Sequence, residues 1–211
     1  MNRRLLYIAH RVPYPPDKGE RVRAFNEIKA LSKNWRVTLA SLAHTVGDLE
    51  SAEELRRWCE RVIVAPAGGR KGLVRGAWNL LRGRSVTEGY FHSAELQRAL
   101  REEAGREPFD VVFAYSSGVL PTALAVPAAM HIMDLVDLDS EKWSIYAEHA
   151  PWYKRWLYAR EARGVAALER TAVAQCAATI LVSDAECQAL ATECERVRAV
   201  GNGVDTDYFV P

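Results

Sequence analysis

A chain of 211 residues, 49% hydrophobic and 26% charged, is long enough for one sizeable domain with its own core. A formal net charge of +1 removes any global pull toward nucleic acid, so an electrostatic role has to come from local patches. No apolar run approaches the roughly 18 residues that a membrane-spanning helix needs.

The N-terminus, MNRRLLYIAHR, opens with two arginines and a short apolar run at 5–9. That run is too short for a secretory signal and lacks a small-residue cleavage site, so it reads as a buried first strand. Further short apolar runs at 37–42, 62–65, 111–114, 129–133, 179–182 and 197–200 read the same way. Most are continuously apolar, as strands covered on both faces are. Between them lie helical patterns. Val22, Phe25, Ile28 and Leu31 recur every three residues after Gly19, and Tyr158, Ala162, Val165, Leu168, Ala172 and Cys176 form one stripe on a long helix. The alternation predicts an α/β, doubly wound, mostly parallel sheet. The four cysteines (Cys59, Cys176, Cys187 and Cys194) contain no C-x-x-C pair and read as reduced, mostly buried thiols of a cytosolic protein.

In such sheets ligands gather beyond the carboxyl ends of the strands, near the switch in strand order. Four segments are therefore expected on one face: HRVPYPPDKGERVRAF, YSSG, the aspartate cluster DLVDLD and SDAE. The first is stiffened by Pro13, Pro15 and Pro16. Gly19 then opens a helix whose free N–H groups favour an anion, with Lys18, Arg21 and Arg23 adding positive charge. It carries neither a dinucleotide fingerprint nor a P-loop. His10 follows the first strand, and Ser116 the fourth.

The aspartates allow three readings. Asp137 and Asp139 could ligate a hard cation, one aspartate could act as a general base, or Asp139 or Ser140 could cap a helix beginning near Glu141. Asp134, nearest the strand, is expected to hydrogen-bond neighbouring loops. Between Arg61 and Thr87 there is no acidic residue. A helix over 70–82 would place Lys71, Arg75, Trp78 and Arg82 on one side, with Val74, Ala77 and Leu81 on another. A basic face with a tryptophan suits an anionic membrane surface. No G-x-S-x-G elbow and no nucleic-acid-binding motif is present.

The stretch VGNGVDTDYFVP at 200–211 resembles the segment that closes the N-terminal domain of retaining glycosyltransferases of family 4. YPPDKGERVRAFNEIKALSKNWRVTL is similar to that family's first loop, first helix and second strand. LERTAVAQCAATILVSDAECQAL is similar to its sixth strand with the helices on either side. The pairing of PPDKGE with DLVDLDSEKW resembles bacterial sugar transferases of exopolysaccharide loci, including those associated with PEP-CTERM protein sorting. Many relatives carry paired glycines in the first loop, where Lys18 here precedes a single Gly19.

The resemblance implies one Rossmann-like half of a GT-B architecture: residues 1–200 as the acceptor-side domain and 201–211 as the start of a linker, with the donor-binding domain not included. It implies that Asp137 orients or deprotonates the acceptor hydroxyl, and that no metal is needed. His10, Lys18, Gly19, Arg21, Arg23, Ser116 and Asp139 are the expected substrate contacts. No cofactor is expected on this domain, and the nucleotide-sugar donor belongs to the full-length enzyme. The implied acceptor is a glycan or lipid-linked saccharide, handled in the cytoplasm or at the inner face of the plasma membrane. A non-catalytic glycan- or phosphate-binding module and a nucleotide-sugar epimerase are the rival readings.

Overall fold

The computed structural model describes residues 3–67, 69–190 and 195–203, apart from the side chain of Lys71. The expected strands all form: β1 (Arg4–Ala9), β2 (Arg36–Ala43), β3 (Arg61–Pro66), β4 (Phe109–Tyr115), β5 (Ala128–Val136), β6 (Ala178–Leu181) and β7 (Val197–Ala199). They make a seven-stranded sheet in the order β3-β2-β1-β4-β5-β6-β7, parallel throughout. The direction of winding switches between β1 and β4.

Helices lie on both faces: α1 (Gly19–Leu31), α2 (Val46–Glu54), α3 (Gly69–Leu81), α4 (Val86–Tyr90), α5 (Ala94–Arg106), α6 (Leu120–Leu124), α7 (Asp139–His149), α8 (Trp152–Gln175) and α9 (Asp184–Leu190). The period-two alternation of strand side chains divides the core in two. Leu5, Tyr7, Ala9, Leu39 and Phe113 pack with Ala24 and Ile28 of α1. Leu6, Ile8, Leu42 and Val112 pack with Leu96 and Leu100 of α5 and Leu168 and Ala172 of α8. The α8 stripe is the one the spacing predicts.

Two local expectations need correction. In α1 the buried positions are Ala24 and Ile28, while Val22 is exposed, because the face beside them is taken up by a charged cluster built on Arg23 and Glu27. The helix after the aspartates begins at Asp139 itself, with Leu138 as N-cap and no side-chain cap. Ser140 is instead held from outside, its N–H and Oγ donating to Glu169 at 3.0 and 2.5 Å. On α3, Val74, Ala77 and Leu81 are exposed, together with Leu73 and Trp78. Its packed side is Gly72 and Gly76, and a Cβ on Gly76 would meet Val86 Cγ1 at 2.8 Å.

Candidate functional site

The crevice beyond β1 and β4 is where the sheet's winding reverses, and it holds a cavity of about 350 Å³. His10 reaches it from the first loop, Gly19 from the start of α1, Ser116 from the loop after β4, Asp137 from the loop after β5 and Asp139 from the start of α7. Arg23 lines it from α1. Three of the four expected segments thus meet there. The fourth, after β6, braces it from behind: Leu138 N–H donates to Glu186 at 3.1 Å, and Ser183 caps α9 through Glu186 N–H.

The two loops over the crevice carry non-glycine residues at positive φ, Ser116 at 80° and Val136 at 71°. For a β-branched residue such a backbone is strained and has to be held by its surroundings. Here the holder is Asp134, fully buried at the end of β5. Its Oδ1 accepts from Val136 N–H at 2.8 Å and its carbonyl from Ser116 N–H at 2.8 Å. A register shift between Asp134 and Val136 accompanies the bend and re-aims the chain toward the crevice.

Asp134 is in turn held by Arg23, whose Nε and Nη2 lie 2.9 and 2.8 Å from Oδ2. The same guanidinium reaches Glu27 at 3.1 Å and donates to Val200 O and Asn202 Oδ1, both at 2.9 Å. Two carboxylates therefore share one cation. Burial, followed by hydrogen bonding to Asp134, pushes the Glu27 carboxyl up to about 9, against the opposing pull of Arg23. Tyr7 Oη donates to it at 2.6 Å. A protonated Glu27 leaves the Arg23 guanidinium to Asp134, the deeper of the two carboxylates.

At the mouth, the Lys142 ammonium bridges Asp137 at 2.6 Å and Asp139 at 3.3 Å. Both carboxylates are about one-third exposed, with side-chain values of 37% and 35%, so they face the cavity rather than the core. On the opposite wall the His10 ring stacks on Tyr115 with centroids 6.0 Å apart, and its Nε2 lies 3.5 Å from Glu20. Glu20 is held down to about 2, chiefly by that hydrogen bond. Tyr115 Oη donates to Glu20 O at 2.9 Å and pins the start of α1 to β4.

Not every expected contact is on the cavity wall. Lys18 is the exposed N-cap of α1 and offers no side-chain cap. Arg21 turns away to Asp17 at 3.4 Å and Asp48 at 3.5 Å. On α3, Arg75 donates to Gly89 O at 3.3 Å, and Arg82 lies over the Trp78 ring at 4.6 Å. The Lys71 side chain and the 204–211 half of the final motif lie outside the described residues. Glu20, Tyr115, Val136, Lys142 and Asn202 also line the cavity and were not singled out from sequence. Lys142 carried a usable signal, three residues after Asp139 on a helix.

Among the described residues no group of three or more His, Cys, Asp and Glu side chains is placed to hold a metal ion, and no helix is long and apolar enough to cross a membrane.

Residues 18–208 match the family model for Glycosyltransferase Family 4. A search of curated proteins returned no match. Among solved structures, the sucrose-phosphate synthase of Thermosynechococcus elongatus is similar over 99% of this chain and 50% of that one, with a TM-score of 0.62 and 13% identity. The N-terminal domain of Candida albicans trehalose-6-phosphate phosphatase aligns over 99% of this chain and 50% of that chain, at a TM-score of 0.44 and 12% identity. The chain thus spans about half the length of these structures. The sucrose-phosphate synthase likeness and the all-parallel sheet make its fold that of one Rossmann-like half of a GT-B architecture.

Proposed function

Because the chain belongs to glycosyltransferase family 4, we propose that it supplies the acceptor side of a sugar-transfer cleft. The whole protein would move a sugar from a nucleotide-sugar donor to a hydroxyl of a glycan or lipid-linked saccharide, in exopolysaccharide synthesis. The observation that carries this reading is the placement of His10, Gly19, Ser116 and Asp137 around one cavity at the switch point of the sheet. Asp137 takes the role of orienting or deprotonating the acceptor hydroxyl, because its carboxylate faces the cavity and is within reach of a bound polyol. Lys142 fixes the direction in which that carboxylate points. Gly19 leaves its backbone open to a ligand, since a Cβ there would touch nothing within 4 Å.

The exopolysaccharide assignment rests on the likeness of PPDKGE and DLVDLDSEKW to such transferases. Docking on an anionic leaflet rests on α3, where exposed Leu73, Val74, Trp78 and Leu81 lie among arginines in a stretch free of acidic residues. The nucleotide-sugar site is assigned to a partner domain, so this half by itself is expected not to turn over. The test is a transfer assay on the whole protein carrying Asp137→Asn. Loss of turnover with donor binding retained supports the reading, and unchanged turnover removes Asp137 from it.

A further inference from the structure

A second cavity lies next to the polar one. The His10 ring meets Phe91 edge-on, with centroids 5.2 Å apart, and beyond Phe91 lies this cavity, of about 180 Å³. It sits between α4 and the α7–α8 pair, walled by Val86, Tyr90, Phe91, Trp143, Leu157 and Tyr158, and its surface is almost wholly apolar. Trp143 directly follows Lys142, so consecutive residues of α7 serve the two cavities.

The carboxylate on this wall, Glu161, is already engaged by three donors of the segment that opens α4. It accepts from Ser85 Oγ at 2.7 Å, Val86 N–H at 2.6 Å and Thr87 N–H at 2.8 Å. It holds the first turn of α4 beside the N-cap, Ser85. The walls are also fixed in place. A Cβ on Gly118 would meet Phe91 Cδ2 at 2.6 Å, one on Gly89 would meet Arg75 O at 2.7 Å, and one on Gly164 would meet Ser85 at 2.9 Å. Close approach on three sides packs α4 and Phe91 tightly against their neighbours. The cavity's volume exceeds the about 150 Å³ apolar cavity known to stay dry and admit benzene.

An apolar pocket whose lining touches that of a polar cleft, through Phe91 against His10, fits one molecule with both characters. We propose that this second cavity binds the hydrocarbon portion of an amphipathic acceptor, a saccharide carried on an aliphatic chain, while its hydroxyl-bearing head lies against Asp137 and His10. This rests on the acceptor-side reading above and narrows it to acceptors with an apolar segment next to the sugar. On its other side α4 packs on α3, whose outward face is the apolar one, so the chain would lead toward the surface proposed to meet lipid.

The experiment is a calorimetric titration with methyl, butyl, hexyl and octyl β-D-glucopyranosides, kept below micelle formation, and with 1-hexanol as a saccharide-free probe. Affinity is expected to rise about fourfold per methylene until the cavity is full, then level off. Leu157→Trp, which fills the cavity, should remove that dependence and leave the methyl glycoside unaffected. Competition by 1-hexanol on the unaltered protein checks the same point without a variant, and should reduce octyl glucoside to the affinity of methyl glucoside. Equal affinity for the methyl and octyl compounds overturns the apolar site and leaves the acceptor cleft untouched. Hexyl glucoside binding no tighter than 1-hexanol supports the apolar site but counts against the saccharide cleft.

Discussion

The ammonium of Lys142 stands 2.6 Å from Asp137 Oδ2 across the mouth of the cavity, joining the start of α7 to the strained loop that precedes it. In a transfer mechanism that contact orients the carboxylate toward an incoming hydroxyl. General-base or orienting groups of this kind contribute about 10²–10⁴ in rate. Asp137→Asn in the whole protein is therefore expected to lower kcat by at least about a hundredfold. Lys142→Met should cost less, and the double variant no more than Asp137→Asn, because both residues act through one carboxylate. Additive losses in steady-state kinetics would show that Lys142 acts independently.

Arg23 and Asp134 predict a stability effect. Removing one partner of a buried ion pair leaves an uncompensated charge, at a cost of about 3–5 kcal/mol. Arg23→Met should lower the urea midpoint accordingly, since Asp134 is completely buried. Arg23→Met combined with Asp134→Asn should recover much of the loss. If the double variant is as unstable as the single, the guanidinium's bonds to Val200 and Asn202 matter more than its charge.

Glu27 predicts a pH dependence. Its carboxyl is raised from an ordinary value of 4.5 to about 9, so the folded state holds a proton that the unfolded chain releases. The stability this supplies is complete below about pH 4.5 and is lost as pH rises through about 9. Glu27→Gln cannot ionise and should flatten that part of the profile. Denaturation from pH 5 to 9 checks it: the unaltered protein should weaken toward pH 9 relative to the variant, and parallel curves would mean that Glu27 is ionised in the fold.

The outward face of α3 predicts lipid dependence. Co-sedimentation with vesicles should rise with anionic lipid and fall with salt, and Trp78→Ala with Leu81→Ser should weaken it about tenfold or more, as loss of two apolar anchors implies. Binding that ignores both lipid charge and these substitutions would remove α3 as the contact.

The sheet was legible in the sequence because its central strands β1, β2 and β4 are buried along nearly their whole length and are therefore mostly apolar. The α8 stripe was legible for the same kind of reason, since the burial of Ala162, Val165 and Ala172 repeats with the helical period. What escaped were buried charges. Glu161 and Glu169 on α8 lie outside the apolar stripe, yet they are 3% and 2% exposed, satisfied by Ser85–Thr87 and by Ser140. Their partners lie far away in sequence, beyond the reach of periodicity. The same holds for Arg23 and Asp134, 111 residues apart, which build the crevice between them. The apolar cavity depends on α4, a five-residue helix too short to show a pattern.

The most direct test of the acceptor-side assignment is a titration of the ¹⁵N-labelled chain with methyl β-D-glucopyranoside and, separately, with UDP-glucose, followed by amide shifts. The account predicts that the glycoside moves resonances of His10, Gly19, Ser116 and Asp137, and that the nucleotide sugar produces no saturable change. Tight, saturable UDP-glucose binding with no response to the glycoside would contradict it and place the donor, rather than the acceptor, on this half.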